Sequence, residues 1–304
     1  MRRLFLFLGK GGVGKTTSSA SLSFWLAERD YRVLWVSVDP AHNIRDIVGR
    51  KLAGVQKVYR GLYAVEVDVD AYVASYIEES IKRMERMYRH LSIVGLEGVI
   101  RAMRHSPGME EVAILYALEE LLRDADPFDY VVVDTPPTGL TLRILAIPKL
   151  NMEWLNVLRM WRLKILERRS MVASVRGRDA FPENVALGAE DDMVLAEIKK
   201  HMDRMRGMME LFAGPSCVRV LVVNQDALSV REGERIVDGL RELGMGVDLV
   251  LVNKFGMLPH SKGNLSETLK GLDKVELPLI EGKASLERED YLKIAERWAE
   301  RVIS

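Results

Sequence analysis

A run of glycine, lysine and threonine near the start of the chain has the spacing of a phosphate-binding loop. Residues 9–17 read G-K-G-G-V-G-K-T-T, which satisfies the pattern G-x-x-x-x-G-K-[ST]. Glycine lets successive backbone N–H groups turn toward phosphate oxygens. In such loops the second lysine bridges the β- and γ-phosphates and the next hydroxyl ligates Mg²⁺, which assigns these roles to Lys15 and Thr16. The predicted contacts with ATP are Gly9, Lys10, Gly11, Gly12, Val13, Gly14, Lys15, Thr16 and Thr17.

Two aspartates follow apolar runs further along the chain. Asp39 comes directly after residues 33–38, and Asp134 comes directly after residues 130–133. If these runs are strands of one parallel sheet, both carboxylates lie at the edge where phosphates bind. Asp39 can then orient or deprotonate a water molecule, and Asp134 can hold Mg²⁺ through a water molecule. The alternative for either aspartate is an N-cap of the helix that follows.

The sheet that must position these residues is visible as a series of short apolar runs. Strands are predicted at residues 4–8, 33–38, 63–67, 130–133, 218–223 and 249–252. They alternate with helical patterns, which predicts an α/β fold with a doubly wound, mostly parallel sheet of the P-loop NTPase class. Two stretches, about 71–123 and 149–215, are helical in pattern, and residues 177–190 form the predicted loop between helices. We expect one ATPase domain over residues 1–304, with these stretches forming an inserted helical subdomain.

Several motifs together resemble those of one family of ATPases. They include Lys10, the two aspartate motifs and two later segments. The first loop reads K-G-G-V-G-K-T, the form called deviant Walker A, and residues 39–43 read D-P-A-H-N. Residues 134–139 read D-T-P-P-T-G, residues 228–235 read L-S-V-R-E-G-E-R, and residues 252–254 read V-N-K. In this order the motifs resemble the ArsA family, which contains the arsenical pump ATPase and the ATPase that targets tail-anchored membrane proteins.

The resemblance implies roles for several residues. It implies that Lys10 reaches the phosphates of a second copy in a nucleotide-sandwich homodimer and that Asp39 is the catalytic aspartate of the first switch. Asn253 matches the residue that binds adenine, and an amide suits the mixed donors and acceptors of that base. Asp226 stands where the family often has a nucleotide-contacting glutamate. His42 matches an orienting residue of the switch rather than a base or a metal ligand.

Cysteine usage separates the branches of this family. Cys217 is the only cysteine among 304 residues. The paired cysteines with which eukaryotic targeting factors bind zinc therefore have no counterpart, and no zinc is expected. A single thiol also argues against an arsenite-stimulated pump ATPase, which holds the metalloid with several cysteines. The closest branch is a prokaryotic or archaeal targeting factor, and the alternative is an ATPase subunit that drives an arsenite-type efflux transporter.

Methionine is concentrated in the two helical stretches. Twelve of the 15 methionines lie between Met84 and Met209. A groove lined by flexible methionines can accept varied apolar helices, which predicts a site for a hydrophobic transmembrane (tail-anchor) segment. The alternative is that the stripe containing Met202, Met205 and Met209 is ordinary core. A basic run over residues 159–169 is either a solvated face or a surface for anionic headgroups or an acidic partner.

The overall composition argues against other classes of protein. The chain has 44 basic and 44 acidic residues, so its net charge gives no argument for binding nucleic acid. Residues 1–8 are read as a first strand rather than a signal peptide, and no run approaches the roughly 20 apolar residues of a membrane span. We expect a cytoplasmic protein that associates with a membrane transiently, through a receptor that the sequence does not identify. The mixed charges of residues 290–303 give no support to a positioning ATPase of the MinD/ParA type.

Overall fold

A sheet of eight strands forms the centre of the molecule. The computed structural model describes residues 3–39, 44–87, 106–182, 185–256, 267–280 and 286–303. The strand order is β3-β4-β2-β5-β1-β6-β7-β8, and every neighbouring pair is parallel except β3 and β4. The strands are β1 (Arg3–Leu8), β2 (Val33–Ser37), β3 (Gln56–Tyr59), β4 (Leu62–Glu66), β5 (Tyr130–Asp134), β6 (Cys217–Asn224), β7 (Leu249–Phe255) and β8 (Lys274–Pro278).

The fold class predicted from the sequence is confirmed, and all six predicted strands are present. The sheet also contains two strands, β3 and β8, that the sequence did not reveal. Both lie at the edges of the sheet, where only one side is paired. Edge strands need not be apolar throughout: β3 is half-buried or exposed, and β8 buries only Val275 and Leu277. A search for continuous apolar runs therefore misses them.

Helices cover both faces of the sheet. They are α1 (Lys15–Glu28), α2 (Ile44–Val48), α3 (Val69–Met87), α4 (Met109–Arg123), α5 (Thr138–Arg176), α6 (Met193–Ala213), α7 (Ala227–Glu242), α8 (Glu267–Lys270), α9 (Arg288–Glu296) and α10 (Ala299–Ile303). One face of the sheet packs against α1, α9 and α10, and the other packs against α4, α5, α6 and α7. Alternate residues of each strand supply the two cores, as the period of a pleated strand requires.

The second helical stretch begins earlier than the sequence indicated. The predicted boundary was near residue 149, but α5 is continuous from Thr138 to Arg176 and contains Pro148 in its interior. At 1.5 Å per residue, its 39 residues span about 58 Å. A single helix therefore runs from the loop after β5 far into the helical region. The division of the chain into an ATPase domain and an inserted helical subdomain remains a prediction.

The methionine stripe of α6 is core. Met202, Met205 and Met208 are buried, and Met209, which the sequence pattern placed on the inner face, is half-buried. These side chains pack with residues of β-strands and α4 on the second face of the sheet. The prediction that this stripe lines an open groove is therefore wrong, because the tight contact of α6 with α5 covers it. None of the helices within the described ranges combines the length and apolarity needed to cross a membrane.

Candidate nucleotide-binding site

The loop between β1 and α1 is held open for an anion by its glycines. Gly9, Gly12 and Gly14 have φ angles of 147°, 79° and 103°, in the region where residues with a Cβ are strained. A Cβ on Gly9 would collide with the carbonyl oxygen of Val222, and one on Gly14 would collide with Nδ2 of Asn253. Gly14 is the N-cap of α1 and offers no side-chain cap. The first N–H groups of α1 are thus left for a negatively charged ligand.

Lys15 lies folded against this loop. Its side chain is buried, and Nζ donates a hydrogen bond to the carbonyl oxygen of Lys10 at 3.2 Å. Burial lowers the pKa of Lys15 below its ordinary value, and the charges of Asp134 and Asp39 oppose that shift. Among the described residues this carbonyl is the hydrogen-bond partner of the ammonium group, which can exchange that contact for a phosphate oxygen.

Thr16 and Asp134 form the most direct contact between the loop and the rest of the sheet. Thr16 Oγ1 donates a hydrogen bond to Asp134 Oδ2 at 2.6 Å. Asp134 is 0% exposed, and its Oδ1 has no hydrogen-bond partner among the described residues. Burial raises the pKa of Asp134 to about 7, against the opposing influence of Thr16 and Lys15. A buried carboxylate oxygen without a partner beside a threonine hydroxyl is a suitable place for a cation and its water ligands.

Asp39 lies at the same edge of the sheet. It follows β2, whose Ser37 is paired in register with Asp134 on β5, and its own N–H donates to Ser37 Oγ at 3.4 Å. Its charge acts on both Lys15 and Asp134, which places the three ionisable groups around one small volume. The rest of the predicted first switch, residues 40–43 with His42, lies outside the described residues.

The loop after β5 carries the threonines of the D-T-P-P-T-G motif, whose hydrogen bonds the sequence did not predict. Thr135 Oγ1 donates to the carbonyl oxygen of Phe7 at 2.6 Å, and Thr141 Oγ1 donates to that of Pro136 at 2.6 Å. Thr138 Oγ1 is buried and has no partner within the described part of the chain. These bonds connect the loop to β1 and to the first turn of α5. A change at Asp134 can therefore reach α5 through a few residues of hydrogen-bonded chain.

Asn253 is placed against the phosphate loop. Its Nδ2 donates to the carbonyl oxygen of Val13 at 2.7 Å, and its Oδ1 accepts from the N–H of Lys254 at 2.9 Å. Asn224 is its register partner on β6, and Asn224 Oδ1 is buried without a hydrogen-bond partner among described residues. The sequence pointed to Asn253 but missed its contact with the loop and the second amide beside it. Adenine recognition by Asn253 remains a prediction.

Asp226 has a structural role in this arrangement. It is the N-cap of α7, and its Oδ1 accepts from the N–H of Ser229 at 2.8 Å. Such a cap stabilises a helix by about 1 kcal/mol. A contact between Asp226 and nucleotide remains a prediction, and in this structure the carboxylate is committed to α7.

The residues present fit a nucleoside triphosphate with Mg²⁺. The glycine loop and the uncapped start of α1 suit the phosphates, while the Thr16 hydroxyl and the unpartnered Asp134 oxygen suit the cation. No group of three or more His, Cys, Asp or Glu side chains with a metal-binding arrangement occurs in the described ranges. That is compatible with Mg²⁺, which commonly takes only one or two protein ligands and completes its shell with phosphate and water. The expected absence of zinc remains a prediction.

Comparisons with known proteins agree with this geometry. The family model described as an anion-transporting ATPase matches residues 2–283. "Putative arsenical pump-driving ATPase 2" of Aquifex aeolicus is 31% identical over 275 residues, covering 90% of this chain and 86% of the relative. "ATPase ASNA1 homolog" of Cryptosporidium parvum is 30% identical over 95% of this chain and 74% of its own length. "ATPase asna-1" of Caenorhabditis elegans is 29% identical over 84% of this chain and 75% of its own. The chain therefore belongs to the ArsA family of anion-transporting ATPases and hydrolyses ATP.

Proposed function

We propose that the protein is a homodimeric targeting factor that captures hydrophobic transmembrane segments and delivers them to a membrane. The observation that carries this proposal is an apolar stripe on α5 that faces solvent. Leu150, Trp154, Leu158, Trp161 and Ile165 are each between 41% and 65% exposed. Their spacing of three or four residues puts them on one face of the helix. Large exposed apolar faces of this kind mark a surface that binds another apolar element.

The stripe borders an open groove between α5, α6 and α3, which we call the α5–α6 groove. It has a volume of about 410 Å³, and its apolar wall is formed by Leu155, Leu158, Trp161, Ile165, Val194 and Ile198. The first and last of the five exposed residues are 15 residues apart in sequence, or about 22 Å along the helix. That is about three-quarters of the roughly 30 Å that a membrane-spanning helix needs. An apolar helix is therefore an occupant of suitable length.

The charged side chains of the groove are paired, so they do not oppose an apolar occupant. Arg162 forms two hydrogen bonds with Asp192, at 3.0 and 2.6 Å, and Arg83 Nε lies 3.2 Å from Glu197 Oε1. Burial lowers the pKa of His201, and the neighbouring arginines lower it further, which keeps the imidazole neutral at pH 7. Paired charges cost much less to cover than isolated ones.

Helix α5 provides a physical link between ATP hydrolysis and the groove. It begins four residues after Asp134 and carries the exposed stripe in its middle section. Bound Mg²⁺ would neutralise phosphate charge beside Thr16 and Asp134. Around it, Lys15 would hold the phosphates, Asp39 would orient the attacking water, and Lys10 would extend to the nucleotide of the second copy. A shift of the loop after β5 on hydrolysis would then move α5 and change the groove.

The alternative is an ATPase subunit of an arsenite-type efflux transporter. The Aquifex aeolicus relative, which is named as a putative arsenical pump-driving ATPase, supports this alternative. The chain offers little to recognise a metalloid. Cys217, its only cysteine, is buried at the start of β6, and burial raises the pKa of its thiol to about 12. A buried, protonated thiol is a poor ligand for a soft metalloid. We therefore favour a hydrophobic client.

The test is capture of a labelled tail-anchor helix by the Asp39→Asn protein, with ATP and with ADP. We expect stable capture in ATP that weakens in ADP. Leu158→Glu should abolish capture, because it puts a charge in the groove. Leu228→Glu is the matched control, since Leu228 is also an exposed leucine but lies on α7. If the helix stays insoluble with every nucleotide while ATP binding is intact, or if both leucine variants behave alike, the proposal is wrong.

A further inference from the structure

We infer that the C-terminal end of α5 binds the surface of an anionic lipid bilayer. The surface concerned, which we call the α5 tip, consists of Lys164, Arg168, Met171, Val172, Val175 and Arg176. It begins at the far edge of the α5–α6 groove, beside Ile165, and extends to the end of the helix opposite to the nucleotide site. The inference goes beyond the proposed function and does not depend on it, since it concerns the protein without any client.

The α5 tip is a single face of the helix. Lys164, Arg168, Met171 and Val175 follow one another at intervals of four, three and four residues, and Val172 lies beside them. Met171 is 58% exposed, Val172 42% and Val175 84%. At 1.5 Å per residue the tip is about 18 Å long, which suits a helix lying in the plane of a bilayer rather than crossing it. These apolar side chains have nothing to bury them within the described part of the chain.

The charges of this end of α5 are predominantly positive. Residues 164–176 contain Lys164, Arg168, Arg169 and Arg176 but only one acidic residue, Glu167. Arg169 turns back to the carbonyl oxygen of Ala186 at 3.3 Å. Lys164, Arg168 and Arg176 form no ion pair with any described residue. The following short turn adds Arg178 and Asp179, one charge of each sign.

An anionic bilayer can bind the basic and the apolar side chains of the α5 tip at the same time. Covering unpaired lysine and arginine with a purely apolar helix would cost their hydration without compensation. At a bilayer surface their long side chains reach the phosphates and carboxylates of the headgroups while methionine and valine enter the acyl boundary. A basic face with apolar residues and few acids is the known pattern of helices that bind such surfaces. An acidic soluble peptide would use the cations but leave the apolar residues uncovered.

The experiment is flotation of the full-length, nucleotide-free protein with vesicles of 30% phosphatidylserine in phosphatidylcholine, and with vesicles of phosphatidylcholine alone. We expect binding to the anionic vesicles only, weakened as salt is raised toward 0.5 M. Each headgroup-bound cation contributes about fivefold to the partition coefficient. Lys164→Gln with Arg168→Gln should therefore weaken binding roughly 25-fold. Val175→Asp should weaken it as well, because the most exposed apolar residue of the tip is lost.

Controls distinguish the tip from general electrostatics and from self-association. Lys199→Gln with Lys200→Gln removes the same charge from exposed positions of α6 and should leave vesicle binding unchanged. Equal binding to neutral vesicles, or equal losses in the two double variants, would overturn the inference. The inference would also be overturned if Val175→Asp kept full vesicle binding but had a lower molecular mass in solution than the wild type. The tip would then be a contact between two copies of the protein. Failure of tail-anchor capture would leave these results unaffected.

Discussion

Asp134→Asn should separate the stability of the nucleotide-free protein from its ability to bind Mg²⁺ and ATP. In the folded protein without metal, burial raises the pKa of Asp134 to about 7, from an ordinary value of 3.8. The folded state therefore keeps its proton at pH values where the unfolded chain has already lost it. Stability from this group is greatest at acidic pH and falls as pH rises toward 7. Above pH 7 both states are ionised and the loss levels off.

The size of the effect follows from the two pKa values. Each pH unit between them costs about 1.4 kcal/mol, so the full loss is on the order of 4 kcal/mol. Between pH 6 and pH 8 only the interval below the folded-state pKa contributes, and the free energy of unfolding should fall by on the order of 1 kcal/mol through this group. Asparagine keeps the acceptor for the Thr16 hydroxyl but cannot ionise. The difference between wild type and variant therefore isolates Asp134 from the histidines, which titrate in both proteins.

The assay is urea unfolding of both proteins in EDTA at pH 6 and at pH 8. We expect the wild type to lose on the order of 1 kcal/mol more than Asp134→Asn over this interval. A second measurement adds Mg²⁺ and ATP at pH 8, which should raise the melting temperature of the wild type and have little effect on the variant, because the cation no longer meets a carboxylate. Parallel pH dependences in the two proteins would refute the electrostatic reasoning. Equal stabilisation by Mg²⁺ and ATP would refute the cation assignment.

Variants at three further positions test the remaining roles. Asp39→Asn should lower kcat by about 10²- to 10⁴-fold, the usual contribution of a general base, while ATP still raises the melting temperature; unchanged turnover would remove Asp39 from catalysis. Lys10→Ala should bind nucleotide as a monomer in sedimentation experiments and turn over slowly, and normal turnover would contradict a lysine shared between two copies. Asp192→Ala should lower the free energy of unfolding by about 2–4 kcal/mol, because it removes the two hydrogen bonds between Arg162 and the buried Asp192 together with the cap of α6. Asp192→Asn, which keeps the cap acceptor but not the charge, should lose less, and equal losses in the two variants would assign the effect to the ion pair with Arg162 alone.

Much of the nucleotide site could be predicted because its motifs are local. Lys15 and Thr16 begin α1 directly after a loop whose glycines allow its backbone conformation, and a glycine pattern can be recognised without any tertiary contact. The inner strands were equally visible, since a strand buried on both faces must be apolar along its length. Asp134 and Asp39 could be assigned to one edge because parallel strands end on the same side of a sheet. These inferences need only the order of residues and the geometry of regular elements.

The tertiary structure decided which side chains are covered and which are free. Met202 and Met160 belong to similar helical patterns, yet α6 buries the first in the core and α5 exposes the second. The periodicity of an isolated helix defines faces but does not say which neighbour covers each face. Contacts between distant segments could not be predicted from the sequence either. An example is the hydrogen bond from Asn253 to Val13, which are 240 residues apart. The sequence by itself determined that this chain binds and hydrolyses ATP. Only the packing of α5 against α6 decided which apolar side chains of these helices are buried and which are exposed, because exposure depends on every neighbouring element at once.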